Sequence, residues 1–196
     1  MKKNQKYRKQ RQTQAMRSTV IGVVLLLAGF VLFLVLQGSD NAAASDTTSR
    51  SVIPVEVEFV APALQLENVN GKTEALQDFS GQVVLVNNWA TWCPPCKAEM
   101  PSLEKYYQAH KEEGFTIVAI SAGDTQAEVE QFTQSYGLTF NFWLDPDGAA
   151  LNAFRNGSLP SSYVLDRNGT VRLAWTGEIS LEMLEKYVTP LVQSVN

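Results

Sequence analysis

The chain has 196 residues, of which 45% are hydrophobic and 18% are charged, and its formal net charge is −4 at pH 7. This composition is typical of a globular protein and excludes a wholly disordered chain. Every acidic residue follows residue 39. The part of the chain that could fold is therefore acidic, and we expect no binding of nucleic acid through its phosphates.

The N-terminal region predicts a membrane anchor. Residues 1–17 carry seven Lys or Arg residues and no acid, and residues 18–37 carry no charge. A helix of about 20 apolar residues is long enough to span a bilayer. The basic flank should remain in the cytoplasm, which predicts a single-pass signal anchor with a cytoplasmic tail and an extracytoplasmic domain. The alternative is a signal peptide cleaved at the small residues 41–45, although its apolar region would normally span only about 7–15 residues.

Two further segments follow the predicted anchor. Residues 38–52 are rich in Ser, Thr, Ala and Asp and lack apolar periodicity, as is typical of a flexible linker. Residues 53–196 should form one folded domain. Its predicted elements, in chain order, are a hairpin of strands 63–66 and 72–75, a strand at 82–89, a helix from 96 to a stop at 114, a strand at 115–120, a helix at 127–136, a hairpin of strands 162–165 and 171–175, and a terminal helix at 181–195 that Pro190 would break.

These elements predict an α/β fold with a central mixed sheet. Asn70-Gly71 is a strong turn signal for the N-terminal hairpin. The apolar, β-branched stretch 82–89 is typical of a strand that is buried on both faces. The order β-α-β-α-β-β-α places helices against a sheet that begins parallel and ends antiparallel.

The only two cysteines of the chain, Cys93 and Cys96, stand where the buried strand meets the following helix. Two cysteines at this spacing can form a disulfide. The partial positive charge of a helix N-terminus favours the thiolate of the first cysteine, and the thiolate is the nucleophile in disulfide exchange. We therefore predict that Cys93 is the attacking cysteine and that Cys96, one turn inside the helix, is the resolving cysteine.

The residues between the cysteines predict a reducing pair. Neither Pro94 nor Pro95 has a backbone N–H, so the first helical donor to the Cys93 sulfur should be the N–H of Cys96. No cationic residue lies between the cysteines. The Cys93 thiolate, and with it the reduced form, should be stabilised only moderately, which favours reduction of partners over their oxidation.

The cysteines have two alternative, structural interpretations. A structural disulfide that closes so small a loop removes little entropy from the unfolded chain. A zinc site needs about four ligands, whereas the chain has two Cys and one His. That histidine, His110, is predicted to be a solvent-facing residue near a helix end. We expect neither a metal nor a cofactor.

The motif around the cysteines resembles the active-site segment of the TlpA/ResA family of membrane-anchored thioredoxin-like oxidoreductases. The segments that carry the resemblance, in order, are 87–101, 136–137, 144–145 and 158–169. It covers roughly residues 58–195. The resemblance implies a thioredoxin-like fold with a sheet of roughly four to five strands and helices on its faces. It also implies thiol–disulfide exchange outside the cytoplasm, reduction of the Cys-x-x-Cys-His haem site of apocytochrome c, and electrons supplied by a CcdA-type membrane carrier.

The resemblance also assigns residues around the cysteines. Pro160 matches the family's cis-proline, which lies beside the cysteine pair, and a cis X–Pro bond would turn the backbone of Leu159 towards the sulfurs. We expect Leu159 to face the substrate together with Trp92, Pro94 and Pro95.

A proton-handling residue is also implied by the resemblance. Glu99 matches the family's acid one turn after the second cysteine, and its alternative interpretation is an exposed helix carboxylate. Asn87 stands where ordinary thioredoxins have a buried Asp, so this role would pass to Glu99 or to water. Asn88 replaces a large apolar residue of the family, and its amide needs partners in a buried strand.

Other functions fit the sequence less well. A peroxiredoxin requires a Thr at the position of Ala90, and a Sco-type copper chaperone requires a longer spacing between its cysteines and a distal His. We predict a protein-disulfide reductase with apocytochrome c as its first-ranked substrate. A general or sporulation-type disulfide reductase ranks second, and an oxidant or isomerase third. A non-enzymatic module with a structural disulfide is the alternative from another class.

Overall fold

The computed structural model describes residues 51–194. The predicted tail (1–17) and membrane helix (18–37), as well as nearly all of the predicted linker, lie outside this range. Within residues 51–194, no helix is long and apolar enough to cross a membrane.

The described region is a single mixed sheet with helices on its faces. The strands are β1 (Val55–Val60), β2 (Gln65–Asn68), β3 (Thr73–Ala75), β4 (Val83–Trp89), β5 (Phe115–Ala122), β6 (Asn141–Asp145), β7 (Ser161–Leu165) and β8 (Thr170–Thr176). The helices are α1 (Pro94–His110), α2 (Gln126–Tyr136), α3 (Ala149–Ala153), α4 (Leu181–Tyr187) and α5 (Thr189–Gln193), with short 3₁₀ turns at Leu76–Phe79 and Lys111–Glu113.

The eight strands lie in the order β1-β8-β7-β4-β5-β6-β2-β3. β4, β5 and β6 run parallel, whereas β7 is antiparallel to β4, and β8 is antiparallel to β7. The predicted α/β fold with a central mixed sheet is confirmed, and the predicted N-terminal hairpin is present as β2 and β3.

β4 is the central strand that leads to the cysteine motif. All seven of its residues are buried. Leu85 and Trp89 belong to one apolar cluster, and Val84 and Val86 belong to another. Because successive side chains of a strand point to opposite faces, both faces of β4 are covered, as its sequence predicted.

The sheet has eight strands, more than the roughly four to five that the resemblance implied, and two of them, β1 and β6, were not predicted from the sequence. β1 is an edge strand in which most side chains are exposed, so it lacks the alternation of buried and exposed residues that marks a half-buried strand. β6 has only five residues, and its strand partners are β5 and β2. Both strands depend on pairing with distant segments.

Two predictions about the ends of helices need correction. The terminal helix is interrupted at Val188, and Pro190 lies in the first turn of α5, where the missing N–H of a proline is tolerated. His110 is not solvent-facing: it is 7% exposed, and its Nε2 atom lies 3.2 Å from Glu185 Oε2 of α4. α4 packs beside α1 and carries Glu185, so it covers this face of the last turn of α1.

Candidate active site

The cysteine motif occupies the start of α1, immediately after the turn that follows β4. Cys93 is the N-cap of the helix, and Pro94 and Pro95 occupy its first two positions. The Cys96 backbone N–H donates a hydrogen bond to Cys93 Sγ at 3.3 Å. The predicted first helical donor to the Cys93 sulfur is therefore confirmed, since the two prolines have no N–H to offer.

The two cysteines form a disulfide, with their Cα atoms 5.3 Å apart. Cys93 is 4% exposed and Cys96 is fully buried. Cys93 is thus the more accessible cysteine, as the order of the motif predicted, but it is buried and does not lie at an exposed helix tip. Most of the local surface comes from Trp92, which is 66% exposed, and from the exposed Pro94 and Pro95.

A buried carboxylate fixes the turn between β4 and the cysteines. Asp124 accepts hydrogen bonds from the Thr91 backbone N–H at 2.8 Å, from Thr91 Oγ1 at 2.7 Å, and from Ser121 Oγ. Sequence reasoning did not identify Asp124. The sequence feature that could have identified it is its position just after predicted strand 115–120. The carboxyl ends of neighbouring parallel strands meet at one edge of a sheet, so a residue there lies near the cysteine motif that follows strand 82–89.

The Leu159–Pro160 peptide bond is cis, as the resemblance predicted. Pro160 is buried directly before β7, whose first residue, Ser161, pairs with Asn88 of β4. Half-buried Leu159 packs against the apolar cluster that includes both cysteines. The structure therefore brings the proline loop and the cysteine motif to the same end of the sheet.

Glu99 lies in the interior, one helical turn after Cys96. Its side chain is fully buried, so the interpretation as an exposed helix carboxylate is wrong. Oε1 accepts a hydrogen bond from Asn87 Nδ2 at 2.8 Å, and Oε2 accepts one from the Ile179 backbone N–H at 3.2 Å.

Burial has the largest effect on the pKa of Glu99. Desolvation raises the pKa of its carboxyl from an ordinary 4.5 to about 8, although the hydrogen bonds from Asn87 and Ile179 act in the opposite direction. The negative charge of Glu178 raises this pKa further. A carboxyl group that titrates near neutral pH can both accept and release a proton under physiological conditions.

The two asparagines of β4 face opposite sides of the sheet. Asn87 Nδ2 also donates to Ser162 Oγ at 3.0 Å, and Asn88 Nδ2 donates to Ser161 Oγ at 3.2 Å. The Nδ2 group of Asn88 thus has a partner in the neighbouring strand. The Oδ1 atoms of both asparagines are buried and have no hydrogen-bond partner among residues 51–194.

The mixed sheet, the disulfide at the start of a helix and the cis-proline beside it define a thioredoxin-like protein. The chain belongs to the AhpC/TSA family, which it matches over residues 57–174.

Individual relatives narrow the class further. The chain is 33% identical over 198 residues to the thiol-disulfide oxidoreductase ResA of Oceanobacillus iheyensis, a match that covers 99% of this chain and 97% of that protein. It is 31% identical over 180 residues to ResA of Geobacillus kaustophilus, covering 92% of this chain and 97% of that protein. Its structure is similar to the thioredoxin domain of a thiol-disulfide oxidoreductase from Bacteroides vulgatus, with a TM-score of 0.63, 27% identity, and coverage of 71% and 99%.

These similarities confirm the resemblance that the motif indicated. The protein is a ResA/TlpA-type thioredoxin-like oxidoreductase and acts on protein disulfides.

Proposed function

We propose that the protein is an extracytoplasmic reductant of protein disulfides, and that its substrate is the Cys-x-x-Cys-His haem site of apocytochrome c. The observation that carries the direction of the reaction is the environment of the Cys93 sulfur. In the described region it accepts one backbone N–H, from Cys96, and the residues between the cysteines are both prolines. A thiolate with so little stabilisation gives a weakly stabilised reduced form, which favours donation of electrons.

In the proposed reaction, the Cys93 thiolate attacks one sulfur of the substrate disulfide. A mixed disulfide forms, and the other substrate sulfur leaves as a thiolate that takes up a proton. The Cys96 thiolate then attacks Cys93 Sγ, the bond between Cys93 and the substrate breaks, and the second substrate thiolate leaves. Two electrons pass to the substrate, and the protein ends in the Cys93–Cys96 disulfide that the structure contains.

The choice of substrate rests on similarity to proteins named ResA. An extended substrate segment could pair with the backbone of Leu159 beside the cysteines, while Trp92, Pro94 and Pro95 would supply an apolar contact surface. A general or sporulation-type disulfide reductase is the second candidate, because the same site would accept any accessible disulfide in an extended segment.

Trapping of mixed disulfides tests the function directly. In cells that express Cys96→Ser, the mixed disulfide on Cys93 should persist, because the resolving thiol is absent. Non-reducing electrophoresis followed by mass spectrometry should identify apocytochrome c among the attached proteins.

The matched control for this trap is Cys93→Ser, which keeps one thiol but removes the proposed nucleophile. It should accumulate no partners, because Cys96 is fully buried. Equal trapping by the two variants would show that the roles are misassigned, and a Cys96→Ser trap that holds other proteins but no cytochrome would favour the general reductase.

We further propose that residues 18–37 anchor the protein with its oxidoreductase domain outside the cytoplasm and that a CcdA-type carrier re-reduces it. The support is the charge pattern of residues 1–37 and the position of both cysteines, which lie in the domain. A chain without cysteines in its anchor segment cannot itself move electrons across the bilayer by thiol exchange.

Topology is tested by fusing a reporter that is active only outside the cytoplasm to Asn196. The full-length fusion should be active, and deletion of residues 1–37 should abolish the activity because export is lost. An inactive full-length fusion would overturn the localisation. In cells that lack the carrier, thiol alkylation should show that the cysteine pair is oxidised.

A further inference from the structure

We propose that Asn87 is a positioning residue that holds the Glu99 carboxylate in place for proton transfer during thiol–disulfide exchange. The inference rests on the proposed function of the cysteine pair and adds a residue that sets the behaviour of its acid. Asn87 is fully buried in β4, and Glu99 is fully buried in α1.

The Glu99 carboxylate is held by two hydrogen bonds. Its two oxygens have one N–H donor each within residues 51–194, and the donor to Oε1 is Asn87 Nδ2 at 2.8 Å. The other donor, the N–H of Ile179, belongs to the backbone. Asn87 is therefore the side chain through which substitution could alter the hydrogen bonding of Glu99.

The Asn87 amide is itself anchored in the sheet. The same Nδ2 atom donates to Ser162 Oγ at 3.0 Å, and Ser162 is the β7 residue directly opposite Asn87 in the sheet. Its two N–H bonds therefore go to two elements, α1 and β7. In this orientation, Nδ2 links the Glu99 carboxylate of α1 to Ser162 of β7.

An amide side chain can pair with both protonation states of a carboxyl group. An ionised carboxylate can only accept hydrogen bonds, whereas a protonated one also has an O–H to donate. An asparagine carries both a donor and an acceptor, and the Oδ1 atom of Asn87 is buried without a partner in the described part of the chain. A half-turn of the amide would present Oδ1 to a protonated Glu99, so one side chain serves both states of the acid.

Among residues 51–194, the charged group that acts on the pKa of Glu99 is Glu178. Glu178, in the loop that also contains Ile179, raises the pKa of Glu99 by charge repulsion. Cys96, one turn earlier on α1, titrates only when the disulfide is reduced. In the oxidised protein the cysteines do not titrate, so Glu99 can be followed without coupling to a thiol.

The test compares the Glu99 titration in three forms of the oxidised full-length protein. Glutamate labelled with ¹³C at the carboxyl carbon is followed by NMR, and the Glu99 signal is assigned by its absence in Glu99→Gln. Wild type should titrate near pH 8. Asn87→Ala should titrate higher by about one pKa unit or more, because the ionised form loses a hydrogen-bond donor.

The matched control is Asn88→Ala. It removes an equivalent buried amide–serine hydrogen bond from the same strand, but on the other face of the sheet, away from Glu99. It should leave the Glu99 titration unchanged. Asn87→Leu and Asn88→Leu form a second pair that keeps the volume of each site filled, in case the smaller side chain admits water or prevents folding.

A kinetic readout shows whether the positioning matters for exchange. Reduced protein is mixed with the disulfide of thionitrobenzoate, and release of the second thionitrobenzoate reports the attack of Cys96 on the mixed disulfide at Cys93. The pH at which this phase is half-maximal should rise in Asn87→Ala in parallel with the Glu99 titration, and it should not change in Asn88→Ala.

Each outcome decides the proposal. An unchanged titration or an unchanged pH profile in both Asn87 variants overturns it, and so does an equal shift in the Asn88 variants. Failure of the proposed function would look different: no protein would be trapped on Cys93 in cells, although the small disulfide would still react and the Asn87 shifts would still be observed.

Discussion

Replacing Glu99 with Gln is expected to remove a large part of the pH dependence of stability in the oxidised protein. The pKa of Glu99 is raised from 4.5 to about 8 by burial, so between these values the native state holds a proton that the unfolded chain has lost. The free energy of unfolding therefore falls as pH rises through this range. The stabilising contribution of the protonated carboxyl is complete below about pH 4.5 and is lost above about pH 8.

The size of this effect is a few kcal/mol, since one pKa unit corresponds to about 1.4 kcal/mol. Urea denaturation of the oxidised protein at pH 5 and pH 8.5 should show a large loss of stability in wild type and a much smaller loss in Glu99→Gln. The same substitution at Glu112, an exposed residue that follows α1, serves as the control and should preserve the wild-type dependence. A Glu99→Gln variant with the full wild-type pH dependence would show that Glu99 is not the group responsible.

The elements that sequence reasoning located have strong local signals. The stretch before the cysteines is continuously apolar and β-branched, and the structure contains β4 there with every residue buried. The helix after Thr125 ends at Gly137, whose backbone is left-handed, as a predicted glycine stop requires. The class of fold follows from the order of such elements, because each depends mainly on its own residues.

The features that the sequence did not predict depend on contacts between distant segments. Glu99 meets the N–H of Ile179, which lies 80 residues further along the chain. The motif could indicate that Glu99 matters, but not that the carboxyl would be fully buried with an asparagine on one oxygen and a backbone donor on the other. The burial of His110 could not be predicted for the same reason, because it depends on Glu185, in a helix that follows β8.

Glu99→Gln is also expected to slow the resolution of the mixed disulfide at Cys93, by about 100-fold near pH 8, which is the lower end of the usual contribution of a general base. Resolution requires the Cys96 thiol to lose its proton. Residues three apart on a helix lie on the same face, so Glu99 belongs to the face of α1 that carries Cys96. A glutamine keeps the shape of the side chain but can neither accept the proton nor repel the Cys96 thiolate. Loss of the base slows resolution, whereas loss of the negative charge lowers the apparent pKa of the thiol, so the two effects separate in a profile of rate against pH.

Stopped-flow measurement of the thionitrobenzoate phases from pH 6 to pH 10 should show a normal first phase, which reports attack by Cys93, and a slow second phase. If both phases match wild type over the whole range, Glu99 takes no part in exchange, and its buried carboxyl would affect only stability.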